Sequence, residues 1–256
     1  MRRVWNLVFL FSIALSAFIN EGKAESTDKD TVQLLTGEWQ PYISQHYKGH
    51  GVIPRIIRKA FAYSNLKVVF KFVPWKTIHP NLMKGRFDGG AVFGGYQSWL
   101  GKLFASDPLI SAEYVIFHLE ERKFFNWRDM PSLYGMVMGY EKGGTLAPYF
   151  QQLVDEERLK VRYIANPVTA FEMLRSGKIT FFPYNKISGE TILRENYPNN
   201  DHAITFHKVP FRISLYRVIF SNKPERARFL MEKLNQGLQM MRMNGELDKI
   251  SQEIGS

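Results

Sequence analysis

Residues 74–108 read PWKTIHPNLMKGRFDGGAVFGGYQSWLGKLFASDP. In this stretch Ile78 and Leu82 lie one helical turn apart, and they predict a helix that ends at Gly85, a residue suited to a left-handed cap. The apolar run 91–93 that follows is the size of a buried parallel strand. A helix, a buried strand and a glycine-rich turn form half of a βαβ unit, and open α/β sheets bind ligands at the carboxyl ends of their strands. We therefore expect the turn after this strand to lie beside a ligand site.

Three fragments of this stretch also carry a family resemblance: Pro74-Trp75 before the helix, Gly85-x-x-Asp88 before the strand, and Phe104-x-Ser106-x-Pro108 after it. Together they resemble the extracellular solute-binding proteins of family 3, the polar amino-acid type, over most of residues 30–254. The resemblance implies an α/β fold of the type II periplasmic-binding class. Such a fold has two lobes, each a mostly parallel sheet flanked by helices, joined by a two-crossing hinge, and ligand binding closes the lobes.

The amino-acid composition and net charge of the chain exclude several kinds of site and partner. The chain has 256 residues, 45% of them hydrophobic, which is enough for two lobes with cores of their own. Cysteine is absent, so disulfides, thiolate metal sites, a cysteine nucleophile and an amino-terminal lipid on cysteine are excluded. The net charge is +10, but Lys and Arg are scattered, and we expect no nucleic-acid partner. We expect neither a cofactor nor a metal, because His46 and His50 are four residues apart with no third ligand in sight.

Residues 1–24 are typical of a cleaved signal peptide. Arg2 and Arg3 are followed by an apolar core, residues 7–19, which is short for a membrane span of about 20 residues. Small residues, Gly22 and Ala24, precede the expected cleavage point; the alternative is an uncleaved anchor. We therefore expect a soluble protein in the periplasm that is not a lipoprotein.

The order of predicted helices and strands, together with the resemblance, divides the rest of the chain into two lobes. Lobe 1 is expected to be discontinuous, with residues 25–117 and 213–256, and lobe 2 to comprise residues 118–212. The chain would cross between them near Val115 and near Arg217.

Aromatic residues follow several of the predicted strands, where the entrance of a ligand-binding pocket is expected. Glu38, Trp39 and Tyr42 lie on the loop after the strand 31–36, Trp75 follows the strand 67–73, and Phe93 and Gly94 end the strand of the opening stretch. Tyr184 and Asn185 follow a strand of lobe 2. The alternative for Trp39, Tyr42 and Trp75 is that their rings pack on the core instead of a ligand.

A second candidate subsite is the turn Gly143-Gly144-Thr145, before a helix expected to begin near Leu146. Unpaired N–H groups and the helix dipole make such a turn an anion site, and the resemblance implies that Gly144 and Thr145 receive a ligand carboxylate. The alternative is that Thr145 is a plain helix cap.

The two charged anchors that the family uses for an α-amino acid are replaced in this chain. The family's carboxylate-binding arginine aligns with Ser98, and its ammonium-binding aspartate aligns with Asn185. Serine does not replace a bidentate guanidinium. The resemblance therefore implies a small polar or anionic solute, an amino acid or a related compound, with Lys102, Lys142 and Lys186 as nearby positive charges.

The function predicted from these features is a monomeric periplasmic solute-binding protein, not an enzyme, whose partner is an ABC importer component or a membrane sensor. One alternative is a degenerate or sensing module that acts through a protein partner. The other is a dehydratase-like enzyme of the same fold, for which Glu38, His79 and Glu190 are the candidate acid–base residues.

Overall fold

The computed structural model describes residues 30–94, 103–122, 126–198 and 203–255. Within these ranges, no helix combines the length and apolar character that crossing a membrane requires. The strands in chain order are β1 (Thr31–Thr36), β2 (Lys67–Phe72), β3 (Gly89–Phe93), β4 (Ile110–Leu119), β5 (Val137–Glu141), β6 (Lys160–Ile164), β7 (Phe181–Asn185), β8 (Ile204–Phe206) and β9 (Arg212–Phe220). The α-helices are α1 (Val52–Ala62), α2 (Trp75–Met83), α3 (Pro148–Asp155), α4 (Pro167–Arg175), α5 (Lys186–Asn196), α6 (Pro224–Met243) and α7 (Glu246–Ser251).

The strands form one mixed sheet in the order β2-β1-β3-β9-β4-β7-β5-β6, with β8 paired to β4. At one end β1 pairs in parallel with both β2 and β3, and at the other β5 pairs in parallel with both β6 and β7. The two ends therefore repeat one βαβ arrangement. We call β1–β3 with α1, α2, α6 and α7 the first half, and β5–β7 with α3, α4 and α5 the second half.

The antiparallel strands β4 and β9 connect the two halves. They pair from Ile110 opposite Tyr216 to Tyr114 opposite Arg212. Ile110 packs in the core of the first half, whereas Phe117, farther along β4, packs in that of the second half. The lobe boundaries expected after residue 117 and before residue 213 fall in β4 and β9, and their positions stay a prediction.

The core of the first half lies between the sheet and helices α1 and α6. The spacing of Ile53, Ile56, Ile57 and Phe61 gives α1 one apolar face, and all four side chains are fully buried. Leu230, Leu234 and Leu238 of α6 pack in the same cluster.

The second half has apolar cores on both faces of its sheet. Phe117 and Phe182 pack on one face with Phe171 of α4. Ile116 and Phe181, their neighbours along the strands, point to the other face and pack with Phe150 of α3. Because successive strand residues point to opposite faces, strands covered on both sides read as continuous apolar runs.

A partly buried ion pair joins three elements of the first half. The Asp88 carboxylate, at the start of β3, accepts from the Gln33 N–H of β1 at 2.9 Å. It also accepts from the Arg226 guanidinium of α6 at 3.0 Å, and this guanidinium donates to the Thr31 carbonyl at 2.8 Å. The Asp88 of the family-like motif therefore has a structural role at the strand ends away from the site described below.

Most of the predicted elements are confirmed to within a few residues. The strand 31–36 is observed with those limits, and Gly85 ends α2 with a φ of 62°. The short strand β8 was missed. The helix expected near Leu146, with Pro148 in its first turn, begins at Pro148 with Ala147 as the N-cap residue and no side-chain cap. Its start is therefore confirmed to within two residues, whereas the alternative of a Thr145 cap is wrong.

One prediction tests how closely α1 and α6 pack. A Cβ added to Gly237 of α6 would lie 2.0 Å from the Ala60 carbonyl oxygen of α1. Gly237→Ala gains about 1 kcal/mol of helix propensity. Because the obstructing atom is backbone and cannot turn aside, overpacking here costs about 2–3 kcal/mol, the upper part of its usual range. We expect a net loss of about 1–2 kcal/mol in the free energy of unfolding, measured with urea.

Gln239→Ala on the exposed side of α6 is the control, and it should change the free energy of unfolding by less than about 0.5 kcal/mol. A Gly237→Ala variant as stable as the control would show that the two helices separate freely.

Candidate functional site

The carboxyl ends of the parallel strands of both halves open onto one cleft. Its volume is about 1190 Å³, and residues that follow β1, β3, β5 and β7 line it. Parallel α/β sheets bind ligands at this edge, and the cleft is larger than most small-molecule sites. The two sheet halves therefore converge on a single cavity.

Aromatic side chains form much of the cleft wall. Trp39 follows β1 and packs against Tyr216 of β9, with ring centroids 4.6 Å apart and ring planes tilted by 45°. The hydroxyl groups of Tyr216 and Tyr114 share a hydrogen bond across β9 and β4. Among the described residues, the aromatic side chains of the lining are Trp39, Trp75, Phe93, Tyr114, Tyr184 and Tyr216.

Trp75 is held at the cleft edge by a hydrogen bond. Its indole Nε1 donates to the Glu38 carbonyl at 3.0 Å, and its ring meets Phe93 edge-on, with centroids 6.1 Å apart. The side chain remains 38% exposed. Trp75 is thus anchored without being buried in the core, which leaves a face of the indole free.

Tyr42 lies behind the cleft wall and not on it. It is 1% exposed, and its ring stacks against Trp39 at 4.1 Å. Its hydroxyl donates to Asn185 Oδ1 at 3.1 Å. The expected contact between Tyr42 and a ligand is therefore corrected: Tyr42 supports Trp39, as in the alternative that its ring packs on the core.

Asn185 lines the cleft, but its side chain bonds to protein. Oδ1 accepts from the Ser188 N–H at 2.8 Å and so caps α5, in addition to accepting from Tyr42. The Ser188 hydroxyl in turn donates to the Gln40 carbonyl at 2.7 Å. The start of α5 is thereby tied to the loop after β1, which joins the two halves beside β4, where Asn185 lies opposite Tyr114.

The turn after β5 differs from the expected anion site. The Gly144 N–H donates to the Glu141 carbonyl at 3.1 Å, and Gly143, at the third position of the turn, has a φ of 88° that favours glycine. Gly144 lines the cleft, but Thr145 does not, and its carbonyl accepts from the Tyr140 hydroxyl at 2.7 Å. Because α3 begins only at Pro148, its first N–H groups do not belong to this turn.

The cleft contains charges of both signs. Glu38, Glu141 and Glu195 contribute carboxylates, and Lys76 and Lys142 contribute ammonium groups. Of the carboxylates, Glu38 accepts from the Gln45 N–H at 3.0 Å. In the described part of the chain, no cluster of three or more His, Asp or Glu side chains could hold a metal.

Glu141, the last residue of β5, is an exposed carboxylate on the cleft wall. The protein around its carboxyl group raises the pKa of Glu141 above its ordinary value, and the positive charge of Arg212 opposes this shift. Burial likewise raises the pKa of the Tyr184 hydroxyl, which remains neutral at physiological pH.

The structure brings most of the predicted site residues together, although their contact with a ligand stays a prediction. Glu38, Trp39, Trp75, Phe93, Gly94, Gly144, Tyr184 and Asn185 line the cleft. Ser98 and Lys102 lie outside the described residues. Of the acid–base candidates, Glu38 and His79 line the cleft, whereas Glu190 of α5 is not part of its wall.

Among the wall residues that sequence reasoning missed, three were missed for identifiable reasons. Tyr114 and Tyr216 lie in the middle of β4 and β9, where no loop or turn signal marks a site. Glu141 was missed because the run 136–139 predicts a strand that ends at Gly139, whereas β5 continues to Glu141. Assigning the polar end of that run to the strand would have placed the carboxylate at the cleft.

No protein-family model matches the chain, and no curated protein matches it. Among solved structures, a histidine kinase sensor domain with similarity to periplasmic binding proteins has 18% sequence identity and a TM-score of 0.70, over 88% of this chain and 95% of that one. An ancestral arginine-binding protein bound to arginine has 20% identity and a TM-score of 0.69; the match covers 89% of this chain and 99% of that one. An ancestral amino acid-binding protein, a precursor of cyclohexadienyl dehydratase, has 17% identity and a TM-score of 0.65; the match covers 89% of this chain and 96% of that one.

These matches confirm the predicted fold class. The chain has a two-lobed, periplasmic-binding-protein-like α/β fold.

The structural role of Asn185 leads to a stability prediction. Asn185→Ala removes a helix cap, worth about 1 kcal/mol, and leaves the buried Tyr42 hydroxyl unpaired, at about 1–3 kcal/mol. We expect a total loss of about 2–4 kcal/mol in the free energy of urea unfolding. Asn166→Ala is the matched control, because Asn166 caps α4 through the Val168 N–H in an exposed hydrogen bond and has no second partner of this kind; it should lose only about 1 kcal/mol.

In a Tyr42→Phe background the loss caused by Asn185→Ala should fall toward that of the control. If Asn185→Ala and Asn166→Ala, each in the otherwise unchanged chain, lower the free energy of unfolding equally, the hydrogen bond to Tyr42 contributes nothing to stability.

Proposed function

We propose that this chain is a solute-binding protein of the family 3 type, which captures a small polar solute, an amino acid or a related compound, in the cleft. The observation that carries the proposal is the convergence of both parallel strand sets on one aromatic-walled cavity of about 1190 Å³. Trp39 and Trp75 offer flat apolar surface from the first half, and Lys76 and Lys142 offer positive charge for an anionic group. Pockets that combine apolar walls with a few polar groups are typical of small-molecule sites.

The proposal includes export and a partner. A signal peptide in residues 1–24 would deliver the protein to the periplasm, where it would act as a monomer. The solute would then pass to an ABC importer, or the bound form would report to a membrane sensor. The likeness to a sensor domain supports sensing, whereas the family resemblance supports uptake.

The first test is a thermal-shift screen of residues 25–256 against amino acids, carboxylates, polyamines, sugars and aromatic metabolites. A compound that binds the folded state raises the unfolding midpoint by mass action, by an amount that grows with its concentration. A shift with one chemical class supports solute capture. If every class leaves the midpoint unchanged, the proposal fails and a module that acts through a protein partner replaces it.

The second test asks whether the aromatic side chains of the cleft wall contact the ligand. We expect Trp75→Ala to weaken the binding of a compound found in that screen by about tenfold or more, because one ring contact is lost. The free protein should keep its unfolding midpoint, because Trp75 is 38% exposed. Tyr134→Ala is the control: Tyr134 is 40% exposed and does not line the cleft.

Isothermal titration calorimetry measures the dissociation constant of the compound for each of the two variants. If Trp75→Ala unfolds at a much lower temperature and binds as tightly as the unchanged protein, Trp75 is a packing residue and the aromatic-wall assignment is wrong.

A further inference from the structure

The cleft continues beyond the strand ends along helix α5. Its lining includes Ser188, Thr191, Ile192, Glu195 and Asn196 of this helix. Because they are spaced by three and four residues, these side chains lie on one face of α5, which we call the α5 wall. Each residue of a helix rises by about 1.5 Å, so the wall is about 12 Å long.

Two other elements border the space in front of the α5 wall. Pro167 and Val168 contribute from the start of α4, and Gln40 and His46 contribute from the loop after β1. The Ser188 hydroxyl donates to the Gln40 carbonyl at 2.7 Å, so the two halves already touch at the beginning of the wall. The space farther along α5 belongs to the cleft in spite of this contact. We call this space the α5 compartment.

A single amino acid is too short to contact both the strand ends and the far end of the α5 wall. One extended residue spans about 3.3–3.6 Å, whereas the wall alone is about 12 Å long. The wall therefore matches about three extended residues in length. The volume of the whole cleft, about 1190 Å³, also exceeds that of most small-molecule sites.

Thr191, in the middle of the α5 wall, has a buried hydroxyl group without a partner. The residue is 3% exposed, and its Oγ1 makes no hydrogen bond to the described chain. A threonine in a helix can bond through its hydroxyl to a carbonyl three or four residues earlier, but Thr191 does not. An unpartnered buried hydroxyl costs free energy. Since threonine has two accessible χ1 rotamers in a helix, a ligand at the wall can supply the missing partner.

The α5 compartment combines hydrogen-bonding groups with apolar surface. Glu195 and Asn196 lie about one turn beyond Thr191, whereas Ile192 and Val168 are apolar. A purely apolar solute would leave the Thr191 hydroxyl unpaired. A peptide, by contrast, presents an N–H group, a C=O group and a side chain in each residue, and so uses both kinds of surface.

We propose that the α5 compartment binds the distal part of a short peptide of about two or three residues, whose other end lies among Trp39, Trp75 and Tyr216 at the strand ends. This inference rests on the proposed solute-binding function. It narrows the solute from an amino acid or a related compound to a chain of amino acids with at least one peptide bond.

The first measurement compares single amino acids with peptides. Isothermal titration calorimetry of the unchanged protein uses two sets of compounds: alanine, dialanine and trialanine, and phenylalanine, Ala-Phe and Phe-Ala. We expect a peptide to bind about tenfold or more tightly than the single amino acid of its set, because the added residue contacts the α5 wall. Equal or tighter binding of the single amino acid in both sets overturns the proposal.

Two substitutions test the α5 wall itself. Thr191→Val keeps a side chain of similar shape without the hydroxyl, and it should weaken peptide binding about fivefold. Glu195→Trp introduces a ring into the compartment from an exposed position. It should weaken peptide binding about tenfold or more, because the ring occupies the space of the distal residue, and it should leave the binding of single amino acids unchanged. Glu172→Trp, at an exposed position of α4 outside the cleft wall, is the control and should bind like the unchanged protein.

The unfolding midpoints of the free variants distinguish a loss of binding from a loss of folding. Thr191→Val should unfold at the same or a higher temperature, because the substitution removes an unpaired buried hydroxyl. Glu195→Trp and Glu172→Trp should both unfold near the midpoint of the unchanged protein, because both positions are exposed.

The outcomes separate the two proposals. If single amino acids or other compounds of the broad screen bind and peptides do not, the peptide assignment is overturned while solute binding stands. The same holds if Thr191→Val or Glu195→Trp binds peptides as tightly as the control. If the unchanged protein binds nothing in these sets or in the broad screen, solute binding fails and the peptide assignment fails with it.

Discussion

The antiparallel pairing of β4 with β9 is the constraint on which the rest of the structure depends. Five residue pairs, from Ile110 opposite Tyr216 to Tyr114 opposite Arg212, connect two sets of parallel strands that have separate cores. On one face of this ribbon Tyr114 and Tyr216 form part of the cleft, and on the other Ile213 is 61% exposed. The same two strands thus join the halves and line the back of the site.

A second contact between the halves determines what closure of the cleft involves. Asn185 bonds to Tyr42, and Ser188 bonds to the Gln40 carbonyl, next to the ribbon, where Asn185 lies opposite Tyr114 of β4. A ligand favours a closed state only through contacts that the open state lacks. These bonds join the loop after β1 to the end of β7 without a ligand, so a motion that separates these two segments must break them and leave the Tyr42 hydroxyl without Asn185.

The ends of β7 and β5 have different roles at the cleft. Asn185, at the end of β7, caps α5 and bonds to Tyr42 of the other half. Glu141, at the end of β5, is an exposed carboxylate that lines the cleft. The Asn185 side chain therefore lies at the cleft edge with its oxygen already bonded to protein.

The sequence by itself determined most elements, because apolar periodicity in α1 and continuous apolar runs in the strands are local signals, and the fold class followed from the family resemblance carried by residues 74–108. It also placed Trp39, Trp75 and Phe93 at strand ends, where a cleft was expected and is found. It did not place Tyr42 behind Trp39 or identify Tyr114, Tyr216 and Glu141 as cleft residues. Only the tertiary structure decided these, because the exposure and the hydrogen-bond partners of a side chain depend on segments that are far apart in the chain, such as Tyr42 and Asn185, which are separated by 143 positions.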